Sequence, residues 1–554
     1  MFYTKKYSRK LLWMIAAGFA LFAISCQKDN FGTADIYPDN AAVDISFGSD
    51  APQPSTVSEG TIVKYSITGL KEKAQGSYKF YINQMEASIL EVTDTYISVR
   101  VPVNASSGSA SLVLDNGQIY YGPGVAVRGK TQIAADFLSN IGANKALLNG
   151  FPSTLLGIVP NGDGSFIVYG VFDQYGDPSN ASNITSNIQI IDNTGKALTA
   201  SKQFTMGKQG LNGGVTNLKI LDDGSYLVSG GFSKYDTVDN VSGIVRFLSG
   251  GKADLTQYEI ANADPENHPE NNFRIGSAIN AGFGGGVLST FVSDDEKYIT
   301  VGNYKQYNAI YYPNSTVQST QLDMIASLGL TKIDAQGNFD STFNYNYATK
   351  QSYVGPNGYI SSAVQLYEGQ LVLGGTFTTF HGSNAQHLVC IDPMTGLVSN
   401  AFQGSTDGPV YSITYNETTE RLVIVGNFKH YNGTPVNAGV AVVKEDGTLD
   451  TDAMMKPIQN GIVSYCAQLD DGRFIISGSF LRYDGVVRSG FAILNEDGTL
   501  ASGYNNTGLF RGTIYGHAEF SIAGGGTALF LVGSFDRFDN KEVGSIVKIV
   551  LSDN

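Results

Sequence analysis

The chain has 554 residues, including 65 glycines, 31 tyrosines and 30 phenylalanines, and a formal net charge of −14. A body this acidic is repelled by phosphate backbones, and no basic cluster interleaved with aromatics offsets it, which excludes nucleic acid as a partner. Abundant glycine and aromatic residues with few long helix-period stretches predict many short strands, an all-β chain.

The amino terminus carries Lys5, Lys6, Arg9 and Lys10 and then runs apolar from Leu11 to Ile24, too short for a comfortable membrane span and suited to a secretory signal over residues 1–25. Ala23 and Ser25 lead directly into Cys26, a pattern that resembles a bacterial lipobox. That resemblance implies cleavage before Cys26 and acylation of this residue, and several acyl chains on one residue make a stable membrane anchor. Gln27, Lys28 and Asp29 resemble the tag that sends some lipoproteins to the outer-membrane surface, facing outward. Loss of the signal removes four cations and no anions, so the net charge of −14 becomes about −18, which serves solubility. Residues 26–39 are polar, contain Gly32 and Pro38, and read as a flexible tether.

Residues 40–128 alternate apolar and polar side chains in short runs, at 60–69, 79–83 and 96–102, followed by Ser107-Gly108 and the run 110–114. These runs resemble an IPT/TIG domain, and the resemblance implies a small immunoglobulin-like β-sandwich that acts as a spacer. Residues 124–131 match the phosphate-binding loop pattern. That loop needs a parallel strand leading into a helix, which all-β surroundings do not provide, so the match is a decoy.

From residue 129 to 554 one motif recurs seven times: an apolar strand, Gly-x-Phe/Tyr, two residues, then Phe/Tyr. Its glycines are Gly170, Gly230, Gly302, Gly375, Gly426, Gly478 and Gly533, spaced by 60, 72, 73, 51, 52 and 55 residues. Each repeat can be drawn as four strands, a to d; in the fifth these are 410–415, 421–428, 439–444 and 449 onward. Asp-Asp-Gly turns at 222–224 and 470–472 separate a from b, and Asp-Gly turns at 446–447 and 497–498 separate c from d. Four-stranded units repeated radially predict a seven-bladed β-propeller. The motif aromatics are expected to pack between blades and the glycine to allow close backbone approach. Cys390 and Cys466 lie in apolar strands of repeats that are not neighbours, so they are expected in the core without a disulfide or a metal. The seventh repeat ends after strand c, and residues 131–140 are expected to supply its fourth strand and close the ring. Runs such as residues 422–450 resemble the delta-sixty type of bacterial propeller repeat over roughly 131–551, a family that implies this fold and no general activity.

Two long connections point to a site. From the motif aromatic to the c–d turn glycine, repeats four, five and six take 19, 19 and 18 residues, whereas repeat three takes 33. The path from Gly251 to Gly285 takes 34 residues, against 14 from Gly447 to Gly461. The b–c and d–a loops of a propeller emerge on one face, so both insertions are expected side by side, where long loops on a rigid scaffold concentrate binding residues. They carry His268, Phe273, Arg274, Tyr307, Tyr311 and Tyr312, an aromatic and polar mixture suited to a glycan, although mutual packing would also account for it. The only tryptophan, Trp13, lies in the signal, so tyrosine must do the stacking.

No metal or hydrolase motif is present, the five histidines are scattered, and the acidic turns lack the ligand spacing of a calcium loop; neither cofactor nor metal is expected. The strand-a starts at 408–410, 461–463 and 512–514 read Gly-Pro-Val, Gly-Ile-Val and Gly-Thr-Ile and offer no paired acids, which ranks a glycan-active hydrolase last. The expectation is a non-catalytic surface lipoprotein that binds a glycan or another nutrient beside an outer-membrane uptake system, with a protein-interaction or adhesion module as the rival.

Overall fold

The computed structural model describes residues 45–74, 76–137, 153–176, 187–198, 204, 210–239, 241–522 and 525–552. The expected signal, the tether and Cys26 lie outside the described residues, as does the end of the expected closing strand at 138–140. Among the described residues no helix is long and apolar enough to cross a membrane.

The front domain is a single hydrogen-bonded ladder of eight strands between Ser46 and Val127 that folds over on itself. In Ile62–Thr68 the side chains alternate between exposed and buried, so Val63, Tyr65 and Ile67 all point inward. Met85–Val92 makes the fold-over. Its first half pairs with Tyr78–Ile82, its second half with Tyr96–Arg100, and the register shifts between Ile89 and Glu91. The two layers close on Tyr65 and Phe80, whose ring centroids are 5.0 Å apart. Residues 124–127 are strand and 131–133 are strand again, so the phosphate-loop match has no helix to open.

Among the described residues after 130, seven antiparallel sheets share the order a-b-c. The first is built from Thr154–Pro160, Phe166–Val171 and Ile188–Ile191, the last from Arg511–Ser521, Thr527–Phe538 and Ile546–Leu551. Each sheet packs on the next and the seventh packs on the first, which makes a ring with the a strands innermost. Thr131–Ile133 pairs with Ile549–Leu551 and so adds the fourth strand to the seventh sheet, as expected. The Ser552 N–H donates to Lys130 O at 2.9 Å and the Ala134 N–H to Lys548 O at 2.9 Å, extending the seam at both ends.

The repeat motif holds each sheet together in two places. A Cβ on Gly375, Gly478 or Gly533 would lie 2.0 Å from the carbonyl oxygen of Tyr359, Ile462 or Thr513, the residue just before the glycine's partner on strand a; the other four motif glycines make the same approach. Only glycine fits there. All fourteen motif aromatics are buried, and in repeats one, five and six the second is a tyrosine whose hydroxyl donates to the glycine carbonyl of the c–d turn: Tyr175 to Gly195 at 2.9 Å, Tyr431 to Gly447 at 2.8 Å, Tyr483 to Gly498 at 2.7 Å. The phenol ring fills the space between neighbouring sheets, worth ~1.5–3 kcal/mol for a side chain of this size, and its oxygen satisfies a turn that would otherwise be buried unpaired.

Strand d is shorter than expected. In repeats one, two, three, five and six it is a single bridge to strand c, such as Val443 with Leu449; among the described residues repeat four has a paired stretch at Val398–Ser399 and repeat seven the one at Thr131–Ile133. The chain leaves the ladder because an aspartate carboxylate caps the following turn, as Asp450 does for the Asp452 N–H at 3.1 Å and Asp340 for the Thr342 N–H at 2.9 Å. Cys390 and Cys466 are buried and unpaired in strands of repeats four and six, as expected. Desolvation pushes both thiols up, Cys466 the further.

The front domain sits on the ring at repeats six and seven. The Ser107 N–H donates to Asn506 O at 2.9 Å, Asn540 Nδ2 to Ser107 O at 3.2 Å, and Arg488 Nη1 to Asn104 O at 3.2 Å. Asn506 Nδ2 also bridges Val127 O at 3.2 Å and Thr131 O at 2.9 Å, so one buried side chain joins the last front-domain strand to the closing strand.

Candidate functional site

The two insertions of repeat three lie side by side, as their lengths predict. The first forms a hairpin of Leu255–Glu259 with Phe273–Ser277, capped by the short 3-10 turn Pro269–Asn272. The second pairs Gln306–Ile310 with both Gly282–Phe283 and Leu322–Ala326. Tyr258 of the first stacks on Tyr312 of the second, with centroids 3.8 Å apart and planes 6° from parallel, and Ile260 and Ile310 complete the contact. The Ala261 N–H donates to Ser315 O at 2.8 Å, and Arg274 Nη1 donates to Thr320 Oγ at 2.6 Å.

That packing divides the six expected site residues. Tyr307 and Tyr312 are corrected to structural roles. Tyr307 is the motif tyrosine of its repeat, its hydroxyl donating to Gly337 O, and burial holds its phenol well above the usual range. Tyr312 is buried by its stack on Tyr258, with the same effect. Arg274 is tied between the hairpins, while His268 sits exposed with Nδ1 3.0 Å from Glu270 Oε1. Phe273 and Tyr311 remain open to solvent, 41% and 50% exposed. Phe273 and Ile275 share one face of their strand, and Leu322 and Met324 share one face of theirs, all four exposed.

A second group of exposed side chains lies in an arc at the starts of the a strands. Strand a starts beside the end of strand b and the start of strand c, on the face from which the d–a and b–c loops emerge; Val410 lies opposite Gly426, and Val425 opposite Val440. At these starts repeats four to seven present Tyr359, Tyr411, Ile462 and Tyr515, between 42% and 70% exposed. The backbone beneath them is fixed. The Tyr359 N–H donates to Thr376 Oγ at 2.9 Å and the Ile462 N–H to Ser479 Oγ at 3.2 Å, so the middle residue of the Gly-x-Phe motif clamps the start of strand a. Every strand a then breaks register at the same position by a bulge, as between Val410 and Ser412 or Ile514 and Gly516. In repeats two and four the bulge residue is small and its hydroxyl bonds to the next repeat, Thr216 to Val287 O at 2.8 Å and Ser361 to Val410 O at 2.6 Å. Tyr411 and Tyr515 occupy this bulge position and project instead.

Below the mouth several polar side chains of the a strands bond to neighbouring backbone. Ile413 N–H donates to Ser362 Oγ at 2.9 Å, Thr414 Oγ to Cys466 O at 2.9 Å, and Gln365 Nε2 to Val292 O at 3.0 Å. Tyr465 hydroxyl and His517 Nδ1 are 2.7 Å apart, and burial lowers the imidazole from 6.5 to about 4, so it is neutral and can accept a hydrogen bond from the phenol. Burial raises the Glu519 carboxyl, whose Oε2 accepts the Asp470 N–H at 3.0 Å. The turn aspartates bind their own loops, Asp446 Oδ1 accepting Thr448 N–H at 2.8 Å and Asp497 Oδ1 accepting Thr499 N–H at 2.9 Å, which holds both carboxyls low. Among the described residues no group of three or more His, Cys, Asp or Glu side chains could hold a metal ion.

The expected site therefore lies at the edge of a larger exposed face, and the channel-mouth tyrosines were missed. Their signal lies in the strand-a starts, where the absence of paired acids says nothing about the tyrosines beside them.

Family models match two stretches of the chain. Residues 24–123 match a domain of unknown function, DUF5008, and residues 469–501 match a domain of unknown function described as a β-propeller, DUF5122. No curated protein matches. Similar solved structures include the WD40 β-propeller domain of Doa1, 13% identical with a TM-score of 0.37, covering 76% of this chain and 97% of that one. YCF48 bound to D1 peptide is 10% identical with a TM-score of 0.38, covering 76% and 98%. An auxiliary nutrient binding protein from Bacteroides ovatus is 11% identical with a TM-score of 0.28, covering 93% and 99%. Likeness of this degree assigns no ligand.

Proposed function

We propose that this protein is a non-catalytic lipoprotein of the outer-membrane surface that binds a glycan or another nutrient ligand for an uptake system. In this reading the seven sheets are the blades of one propeller, the front domain is an immunoglobulin-like spacer, and Cys26 carries the acyl chains. The supporting observation is the arc of Tyr359, Tyr411, Ile462 and Tyr515 around the channel mouth. Tyrosine offers an apolar face to stack on a sugar ring and a hydroxyl at its edge, at small cost in side-chain entropy, and here the backbone beneath is already rigid.

The test is a glycan array followed by calorimetry on the full-length protein and on Tyr411→Ala/Tyr515→Ala and Tyr311→Ala variants. Binding lost in the double variant supports the mouth as the site; binding lost in Tyr311→Ala alone moves it to the repeat-three hairpins. No binding by the native protein to a broad array removes the glycan reading. One observation favours a protein partner instead: Phe273, Ile275, Leu322 and Met324 are exposed together on the paired hairpins, as at protein contacts. Cross-linking at Met324→Cys that captured one cell-surface protein reproducibly would favour the adhesion module.

A further inference from the structure

Between the front domain and the ring lies a cleft of about 780 Å³, within the roughly 300–1,000 Å³ typical of small-ligand sites. One wall is the Asn83-Gln84 turn with the strand Gly108–Leu114; the other is Ser489, Leu509 and the Asp539-Asn540 turn of repeat seven. Neither domain contains the cleft alone. The hydrogen bonds of Ser107 to Asn506 and Asn540 hold the walls at a fixed separation, and Asp539 Oδ1 accepts the Gly508 N–H at 2.8 Å behind them.

Three features of the lining bear on its use. The side chains of Ser55, Gln84, Ser109, Ser111, Tyr121 and Ser489 converge on the cleft and make no hydrogen bond to the described protein. Gln84 holds a backbone φ of +63°, where glycine would be unstrained, so the turn keeps a carboxamide at a conformational cost. The charged groups of the lining are Asp539 and Lys541, one of each sign and electrostatically coupled, so an ion entering would leave a charge without a partner.

We propose that this cleft is a binding site for an uncharged oligosaccharide, Tyr121 stacking on a sugar face while Gln84 and the four serines bond to its hydroxyls. The ligand class rests on the glycan-binding reading above; the site is a different one. Because both domains contribute, occupancy fixes the front domain against the ring and a bound chain would run outward from the loop face.

The experiment is calorimetry of the full-length protein with neutral malto-, cello-, xylo- and manno-oligosaccharides, and with uronate-bearing counterparts. Native protein is compared with Gln84→Gly, Tyr121→Ala and the mouth variant Tyr411→Ala/Tyr515→Ala. Gln84→Gly relieves the turn, so its Tm stays level or rises. The inference expects its affinity to fall about tenfold all the same, a split that a structural role for Gln84 would not produce. Tyr121→Ala is expected to weaken binding roughly tenfold or more with Tm unchanged. Affinity unchanged in both cleft variants and lost in the mouth variant overturns this inference and leaves the mouth site standing. Loss confined to the cleft variants establishes the cleft and removes the mouth site. Binding only of the uronate-bearing forms, or of no oligosaccharide at all, overturns the cleft proposal as stated.

Discussion

Tyrosine occupies two parts of the ring in opposite ways. On the outer rim Tyr175, Tyr431 and Tyr483 are fully buried, and each hydroxyl donates to the carbonyl of a c–d turn glycine. At the channel mouth Tyr359, Tyr411 and Tyr515 stand exposed on a backbone that other residues hold. The rim position recurs in every repeat because every sheet needs it; the two mouth positions vary, from Gly214 to Tyr359 just before the first pair of strand a and from Ser361 to Tyr411 at the bulge, because the fold tolerates either. Where repeats agree, the residue is holding the ring together, and where they differ, it is free to meet something else.

The largest effect expected of that contrast is at the rim. Tyr483→Ala removes a buried ring and its bonds to Gly498 and Lys456, and should cost about 3–5 kcal/mol in denaturant unfolding. A loss below about 1 kcal/mol would break the comparison, since the rim would then tolerate change as the mouth does.

A pH titration of stability comes next. Burial lowers His517, in the channel wall, and His381, beyond the rim motif of repeat four, from 6.5 to about 4. Between those values the unfolded chain binds protons that the native protein refuses, so the contribution of these two imidazoles to stability should fall as pH drops from about 6.5 and change no further below about 4, where loss of the carboxyls held low takes over. His517→Gln should flatten part of that slope. An unchanged slope in His517→Gln/His381→Gln would mean that neither imidazole is held neutral.

Tyr483→Phe keeps the ring and deletes the hydroxyl, and should cost about 1 kcal/mol, more if the Lys456 N–H is left dry. The smallest change in stability is expected at the mouth, where Tyr411→Ala should stay within about 0.5 kcal/mol of native in the same unfolding assay. Destabilisation as large as that of Tyr483→Phe would mean that the mouth tyrosines also support the ring.

The ring was legible in the sequence because its signal is repeated. Seven glycines with paired aromatics announce the sheets, and the missing strand d of the last repeat points to residues 131–140, of which 131–133 pair. Strand d elsewhere was overdrawn, since composition does not reveal that Asp340 and Asp450 turn the chain out of the ladder after one bridge. For the site, loop length located the paired insertions correctly but could not tell an aromatic that packs from one that projects. Tyr311 and Tyr312 are neighbours in sequence, yet one is half exposed and the other lies against Tyr258. The interdomain cleft was invisible for a different reason: Gln84 and Ser489 are polar surface residues in their own segments and become a wall only when the two domains meet.

The seam of the ring also sets an order of events. Lys130 meets Ser552 across a separation of 422 residues, so the strand at 131–133 emerges early in synthesis and waits for nearly the whole chain before it has a partner. Until then both it and the outer edge of Ile546–Leu551 offer unpaired backbone. Two chains maturing side by side at high concentration can satisfy those edges in each other, and the product would be a swapped dimer with two native-looking rings. Dilution during refolding should therefore raise the yield of monomer, and a chain truncated before residue 546 should assemble with nothing and accumulate as aggregate.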